Sequence, residues 1–146
     1  MNCTSQLLEN FFNKYGWSFE KLNDSCWLSG WSSEEREYPL TVHLSDEIVV
    51  FEVRPFMEFN IDCKLFPEFL SKILQLNAVC KLVKLSLSPD GQLILSLHAL
   101  SIYFSFEHFS YILGILGYYA DELMREIYLH QASVGLVSFE MPEFLS

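Results

Sequence analysis

Apolar residues recur along the chain with two periods, one typical of helices and one typical of strands. Helical spacing occurs in three segments. At the first of them, Thr4 or Ser5 can accept hydrogen bonds from the exposed amides, and Gly16 can adopt the left-handed conformation that ends a helix. The predicted helices span about residues 5–15, 67–77 and 105–130.

Alternation of apolar and polar residues predicts six strands, paired in antiparallel hairpins. Pro89-Asp90-Gly91 favours the tightest reversal between them. Pro39 lacks an N–H donor and therefore belongs at an edge or among the first residues of its strand. After Arg54-Pro55 the pattern becomes less regular. The predicted strands are 17–22, 26–31, 38–44, 48–53, 81–88 and 93–99.

The order of these elements, α-β-β-β-β-α-β-β-α, predicts the fold class. Strands grouped in antiparallel hairpins with helices between the groups indicate an α+β fold with three helices, not a parallel doubly wound sheet. We find no internal repeat or linker, so residues 1–146 are predicted to form a single domain. Its tail, 132–146, mixes apolar residues with glutamates, and the pattern leaves open whether it docks or is mobile.

Composition and charge restrict the partners. The 146 residues are 51% hydrophobic, which is ample for a core and excludes a disordered chain. The net charge of −10 and the scattered cationic side chains argue against nucleic acid and against anionic membranes. No signal peptide and no spanning helix is indicated, so we expect a cytoplasmic protein. The four cysteines match no zinc, redox or disulfide pattern and are expected to be reduced thiols.

Motifs that specify a reaction are lacking in the sequence. It has no nucleophile elbow, no metal-binding histidine spacing and no cluster of glycines for phosphate. The prediction is therefore a non-enzyme without cofactor, metal or catalytic residues. A histidine pair across neighbouring strands, His43 and His98, stays open, as does a ligand pocket lined by Trp17, Trp27 and Trp31.

The strand over 48–53 is apolar on both of its faces. Val49, Phe51 and Val53 share one face, which leaves Ile48 and Val50 on the other as candidate partner-binding residues. The alternative is that one of the chain's own helices covers this second face.

The first half of the third helix is apolar on nearly all sides. Tyr111, Ile115 and Tyr118 lie outside its main seam and are candidate dimer-interface residues. Gly114 and Gly117 would allow another backbone to approach closely, whether a strand of the same chain or a second subunit.

The second half of the sequence resembles the bacterial YbjN-like proteins, which are similar in fold to the class I type III secretion chaperones. The likeness covers about residues 5–130 in element order, and at the level of individual residues about 70–123. The matching segments are Ile73-Leu74-Gln75-Leu76-Asn77, the strand 83–88, Pro89-Asp90-Gly91, the strand 93–99, Ser105-Phe106-Glu107-His108-Phe109 and Ala120-Asp121.

This resemblance implies a small, acidic, cytoplasmic and usually homodimeric protein without catalytic residues or cofactor. The chaperone members hold a stretch of a client protein in extended form, and YbjN-like members are described as regulators. The middle helix and the strand after it, here 66–77 and 81–88, commonly form the dimer in that fold, which makes Phe69, Ile73 and Leu76 further candidate interface residues.

Three functions follow from these observations. The preferred one is a non-catalytic protein-binding module, a chaperone-like or regulatory adaptor that acts as a homodimer and binds an extended client segment at a strand edge with apolar grooves. The charge of −10 would attract clients with basic segments. The second is a small-molecule-binding protein or enzyme with a pocket lined by Trp and His. The third is a subunit whose apolar surfaces serve only self-assembly.

Overall fold

Three helices and six strands follow one another in the predicted order. The computed structural model describes residues 1–34 and 36–134. Its helices are α1 (Ser5–Tyr15), α2 (Phe66–Val79) and α3 (Phe106–Val134). Its strands are β1 (Glu20–Asn23), β2 (Cys26–Ser32), β3 (Glu37–Leu44), β4 (Ile48–Glu58), β5 (Lys84–Leu87) and β6 (Gln92–Leu100). The predicted α+β class is therefore confirmed. The predicted tail begins within the last turn of α3, and its residues 135–146 lie outside the described part.

The strands form a single antiparallel sheet in the order β1-β2-β3-β4-β6-β5. The chain leaves β4 through α2, enters β5 at the far edge, and returns as β6 between them. As a result β1 and β5 are the two edge strands of the sheet, with β2 next to β1 and β6 next to β5.

Local capping explains where the helices begin and end. The Thr4 hydroxyl oxygen accepts a hydrogen bond from the Leu7 N–H at 3.1 Å, and Gly16 follows α1 with φ of +89°. Before α3, the Ser105 hydroxyl oxygen accepts from the His108 N–H at 3.2 Å. Both caps agree with the sequence prediction.

The core lies between one face of the sheet and the three helices. Phe109 of α3 is fully buried, and its ring contacts the rings of Phe11, Phe12 and Phe51 with centroid distances of 5.0 to 6.0 Å. Trp27 of β2 is also fully buried, and its indole N–H donates to the Glu9 carboxylate at 2.8 Å. The sheet and α1 are thus joined to α3 by aromatic packing.

Three strands differ clearly from their predictions. β1 is Glu20–Asn23, so it begins three residues later than the predicted strand 17–22 and ends one residue later. β4 continues to Glu58, because a register shift between Val53 and Met57 absorbs Pro55 and the pairing with β6 then resumes. β5 begins only at Lys84, because Leu82 adopts a positive φ of +72° that turns the preceding chain away from the sheet. Because β5 begins this late, the part of β6 beyond Ser96 has no β5 residue beside it.

The glycines of α3 face open space. A Cβ atom built on Gly114 or Gly117 would meet no atom within 4 Å. The expectation that a strand of the same chain approaches them is therefore wrong for the described residues. The other alternative, a second subunit, remains a prediction.

Candidate functional site

The two faces of the sheet differ in what covers them. Val49, Phe51 and Val53 point into the core with no exposed surface, as predicted, whereas Ile48 and Val50 lie half-buried on the opposite face. The described helices pack on the core face, so the alternative that one of them covers Ile48 and Val50 is wrong. We call the uncovered side the open face.

Asn77 closes the outer edge of β5. Its side-chain amide donates to the Leu85 carbonyl at 2.9 Å and its amide oxygen accepts from the Leu85 N–H at 2.6 Å. The side chain thus occupies the backbone groups that another strand would use, which protects this edge from strand pairing.

β6 extends past β5 and leaves part of its own edge unpaired. The N–H and C=O groups of Leu85 bond the Asn77 side chain and therefore point away from β6. Because neighbouring residues of a strand point in opposite directions, the N–H and C=O groups of Lys84 point toward Ser96, the residue opposite in β6. Since the direction alternates along a strand, the N–H and C=O groups of His98 and Leu100 point the same way as those of Ser96. Within residues 1–34 and 36–134 no strand lies beside them.

An apolar groove borders this unpaired stretch. It has a volume of about 350 Å³ and runs between β6 and the first half of α3. Leu82 at its rim is 71% exposed and Leu100 is 69% exposed. Residues 97–100 pair with β4 but have no described strand on their other side, and we call this stretch together with the groove the β6 edge site. Its lining residues include Leu97, Ala99, Ile102, Phe104, Ile112 and Ile115.

The open face beside the β6 edge site carries polar groups among apolar ones. His43 and His98 lie on either side of Val50 in the strand register, and the His43 imidazole nitrogen is 3.4 Å from the Glu52 carboxylate. The two histidines are thus separated by β4, not on neighbouring strands. No group of three or more His, Cys, Asp or Glu side chains in the described ranges could hold a metal ion.

The side chain of His98, at the β6 edge site, has a shifted pKa. Burial, followed by the Lys84 ammonium, lowers the pKa of His98 below its ordinary value of 6.5, while Glu52 acts in the opposite direction. Because the folded-state pKa lies below the unfolded-state value, His98 contributes stability above pH 6.5 that is lost as the pH falls through its folded pKa.

We expect an NMR titration of the His98 ring to give a pKa below 6.5. Lys84→Gln should raise that pKa, because it removes the nearby positive charge. Lys64→Gln, on the loop before α2, is the matched control and should leave it unchanged. A pKa of His98 above 6.5 in the wild-type protein would contradict this description.

The candidate residues on α3 form a second exposed surface. Tyr111 and Tyr118 are 68% and 63% exposed, and Ile115 is half-buried between them. They line a groove of about 690 Å³ along α3, next to the β6 edge site, which Tyr111 and Ile115 also line. At one end of this groove, Lys14 lies 4.4 Å above the Phe106 ring.

The candidate residues on α2 belong to the core. Phe69, Ile73 and Leu76 are at most 7% exposed, so a partner could not contact them without opening the subunit. The exposed apolar residues of α2 are Leu74 and Val79 instead. The apolar spacing of α2 identified the correct face of the helix, but that face packs within the chain.

The tryptophans do not converge on a pocket. Trp27 lies in the core, and Trp17 and Trp31 stack on each other with ring centroids 5.7 Å apart. His43 and His98 lie on β3 and β6, on the open face. The predicted alternative of a pocket jointly lined by Trp and His has no counterpart in the described residues.

Comparison with known proteins bears on the fold. No family model and no curated protein matches the sequence. Solved structures do match: YbjN from E. coli, a proposed transcription regulator, is 14% identical, with 90% of this chain and 93% of the other covered at a TM-score of 0.59. The chain has the YbjN and secretion-chaperone fold.

Two further solved structures are complexes between proteins. The Yersinia pestis type III secretion chaperone SycH with a stable fragment of YscM2 matches at 17% identity, over 82% of this chain and 98% of the other, with a TM-score of 0.52. The ExsC–ExsE complex matches at 19% identity, over 86% and 96%, with a TM-score of 0.57. What is shared at these identities is the fold. No helix in the described part of the chain is long and apolar enough to cross a membrane.

Proposed function

We propose that this protein is a non-catalytic protein-binding module, a chaperone-like or regulatory adaptor that acts as a cytoplasmic homodimer and holds an extended segment of a client protein. The observation that carries the proposal is the β6 edge site. Backbone donors and acceptors of His98 and Leu100 lie there without a strand partner, directly beside an apolar groove. The complexes of similar fold, in which one protein binds another, support it.

A client segment would bind by continuing the sheet. Its backbone would pair with His98 and Leu100 in the position that β5 leaves empty. Alternate side chains would enter the groove beside Ile112 and Ile115, while the others would lie on the open face. Backbone pairing of this kind is tolerant of sequence, so selectivity would come from the groove and from charge.

The open face extends this surface beyond the edge. Ile48 pairs with Leu100 and Val50 pairs with His98 in the register of β4 and β6. Client side chains that point away from the groove would therefore meet Leu100 first and then Ile48 and Val50. The net charge of −10 keeps an apolar binder soluble and attracts clients with basic segments.

Fluorescence anisotropy with a library of labelled decapeptides tests the proposal. We expect the protein to bind peptides that have apolar residues at alternate positions. Leu82→Glu places a charge at the rim of the groove and should weaken that binding about tenfold, the equivalent of roughly 1.4 kcal/mol. Leu22→Glu, at an exposed apolar position on the opposite edge strand β1, is the matched control.

The proposal fails if no peptide in the library binds. It also fails if Leu22→Glu abolishes binding while Leu82→Glu has no effect, since the site would then be the β1 edge.

A further inference from the structure

The exposed side of α3 carries a second regular pattern, of which Asp121 also contacts the core by accepting a hydrogen bond from the Tyr38 hydroxyl at 3.1 Å. Six residues recur at spacings of four, three, four, three and four, which is the spacing of a helix that contacts another helix along one stripe. We call this set the α3 stripe. It consists of Glu107, Tyr111, Gly114, Tyr118, Asp121 and Arg125.

The middle of the α3 stripe is a notch between two aromatic rings. Gly114 is exposed, and a Cβ atom there would meet nothing within 4 Å. Tyr111 and Tyr118 rise on either side of it, and the groove of about 690 Å³ lies along the same stretch. Glycine is disfavoured in a helix interior, so its presence at an exposed position suits a contact that needs the space.

We propose that two copies of this chain associate through antiparallel packing of their α3 stripes about a two-fold axis. The order of the spacings is the same from either end of the stripe. In an antiparallel pair, each stripe residue of one copy therefore lies opposite a stripe residue of the other. Tyr118 of each subunit then enters the notch at Gly114 of the other. Tyr111 faces Asp121 across the axis, where the tyrosine hydroxyl can donate to the carboxylate oxygen that does not accept from Tyr38.

Charge complementarity favours this arrangement over a parallel one. The stripe has an acidic residue, Glu107, at its first position and a basic residue, Arg125, at its last. An antiparallel pair brings Glu107 of each copy to Arg125 of the other, twice by symmetry. A parallel pair would bring Glu107 to Glu107 and Arg125 to Arg125. Arg125 already forms an ion pair with Glu122 at 2.8 Å, which holds it on the exposed side.

The packing would also complete the client site. Tyr111 and Ile115 line both the α3 groove and the β6 edge site, so they form the ridge between them. A second copy packed on the α3 stripe would fix the position of this ridge. Its own Tyr118 would lie on the outer side of the ridge, away from the β6 edge site. The inference rests on the homodimer of the proposed function and names its interface.

Sedimentation equilibrium over about 1 to 200 µM protein tests the inference, since association depends on concentration. We expect the wild type to be dimeric. Gly114→Leu fills both notches and should weaken dimerisation on the order of 100-fold, as the loss of paired central contacts does. Gly117→Leu lies on the same helix, in open space but off the stripe, and should weaken dimerisation much less than Gly114→Leu does.

Exchanging the charges gives an independent test. Glu107→Arg alone and Arg125→Glu alone should each weaken the dimer about tenfold, and the double variant should restore it. Circular dichroism of each variant verifies the fold.

A monomeric wild type would overturn both this inference and the homodimer. A dimer that tolerates Gly114→Leu but is dissociated by Val79→Glu would overturn the α3 interface and assign α2, leaving the homodimer intact. Client binding by the monomer or the dimer is measured separately, in the anisotropy experiment, so a failure of the interface is distinguishable from a failure of client binding.

Discussion

Phe109→Ala should lower the free energy of unfolding by about 3–5 kcal/mol, the range observed when a buried phenylalanine is removed. Phe109 has no exposed surface, and its ring contacts aromatic rings from α1, from β4 and from α3 itself. The cavity would therefore open where three elements meet. Urea denaturation followed by circular dichroism measures the change.

Leu129→Ala on the same helix is the matched control. Leu129 is 57% exposed, and its truncation should change the free energy of unfolding by no more than about 0.5 kcal/mol. Equal losses for the two variants would contradict the description of α3 as a helix with one face in the core.

Asn77→Ala should lower the free energy of unfolding by about 2–3 kcal/mol. It removes two hydrogen bonds and leaves the N–H and C=O groups of Leu85 unsatisfied in a part-buried position. Because those groups then become an open edge, the variant should also aggregate faster than the wild type at equal concentration. Denaturation and light scattering measure the two effects.

Asn13→Ala at the exposed end of α1 is the control for the loss of an asparagine, and we expect a change within about 0.5 kcal/mol. Asn77→Asp separates the two bonds, because a carboxylate can accept from the Leu85 N–H but cannot donate to its carbonyl. A stable and soluble Asn77→Ala protein would show that the edge of β5 does not need its cap.

Local signals account for the part of the fold that the sequence predicts well. Caps such as Thr4 and Gly16, and the reversal at Pro89-Asp90-Gly91, depend on residues near one another in the chain. The alternation that separates Val49 and Phe51 from Ile48 likewise depends only on the pleat of one strand. These features therefore need no knowledge of which elements pack together.

The β6 edge site could not be predicted in this way. The start of β5 at Lys84 depends on the positive φ of Leu82, a conformation that sequence patterns do not indicate for leucine. Neither does the sequence show that Asn77 reaches Leu85, because that contact requires α2 to lie over β5. The unpaired part of β6 results from the late start of β5, and the closed outer edge of β5 results from the contact between Asn77 and Leu85.

Helix periodicity left a different ambiguity on α2 and α3. The resemblance implied a dimer through α2 and thus Phe69, Ile73 and Leu76, and periodicity could not correct this, because an apolar stripe has the same pattern whether it faces the core or a partner. On α3 the signal is clearer, because one helix carries two stripes and the core can cover only one. Tyr111 and Tyr118 are on the stripe that remains exposed.

Methyl NMR of the protein with a decapeptide from the library tests the central claim most directly. The account predicts that chemical-shift changes on peptide addition concentrate on the methyl groups of Leu82, Leu97 and Leu100, with smaller changes at Ile48 and Val50. Changes confined to Leu22 and Leu28 at the opposite edge of the sheet, or changes spread evenly over the protein, would contradict it.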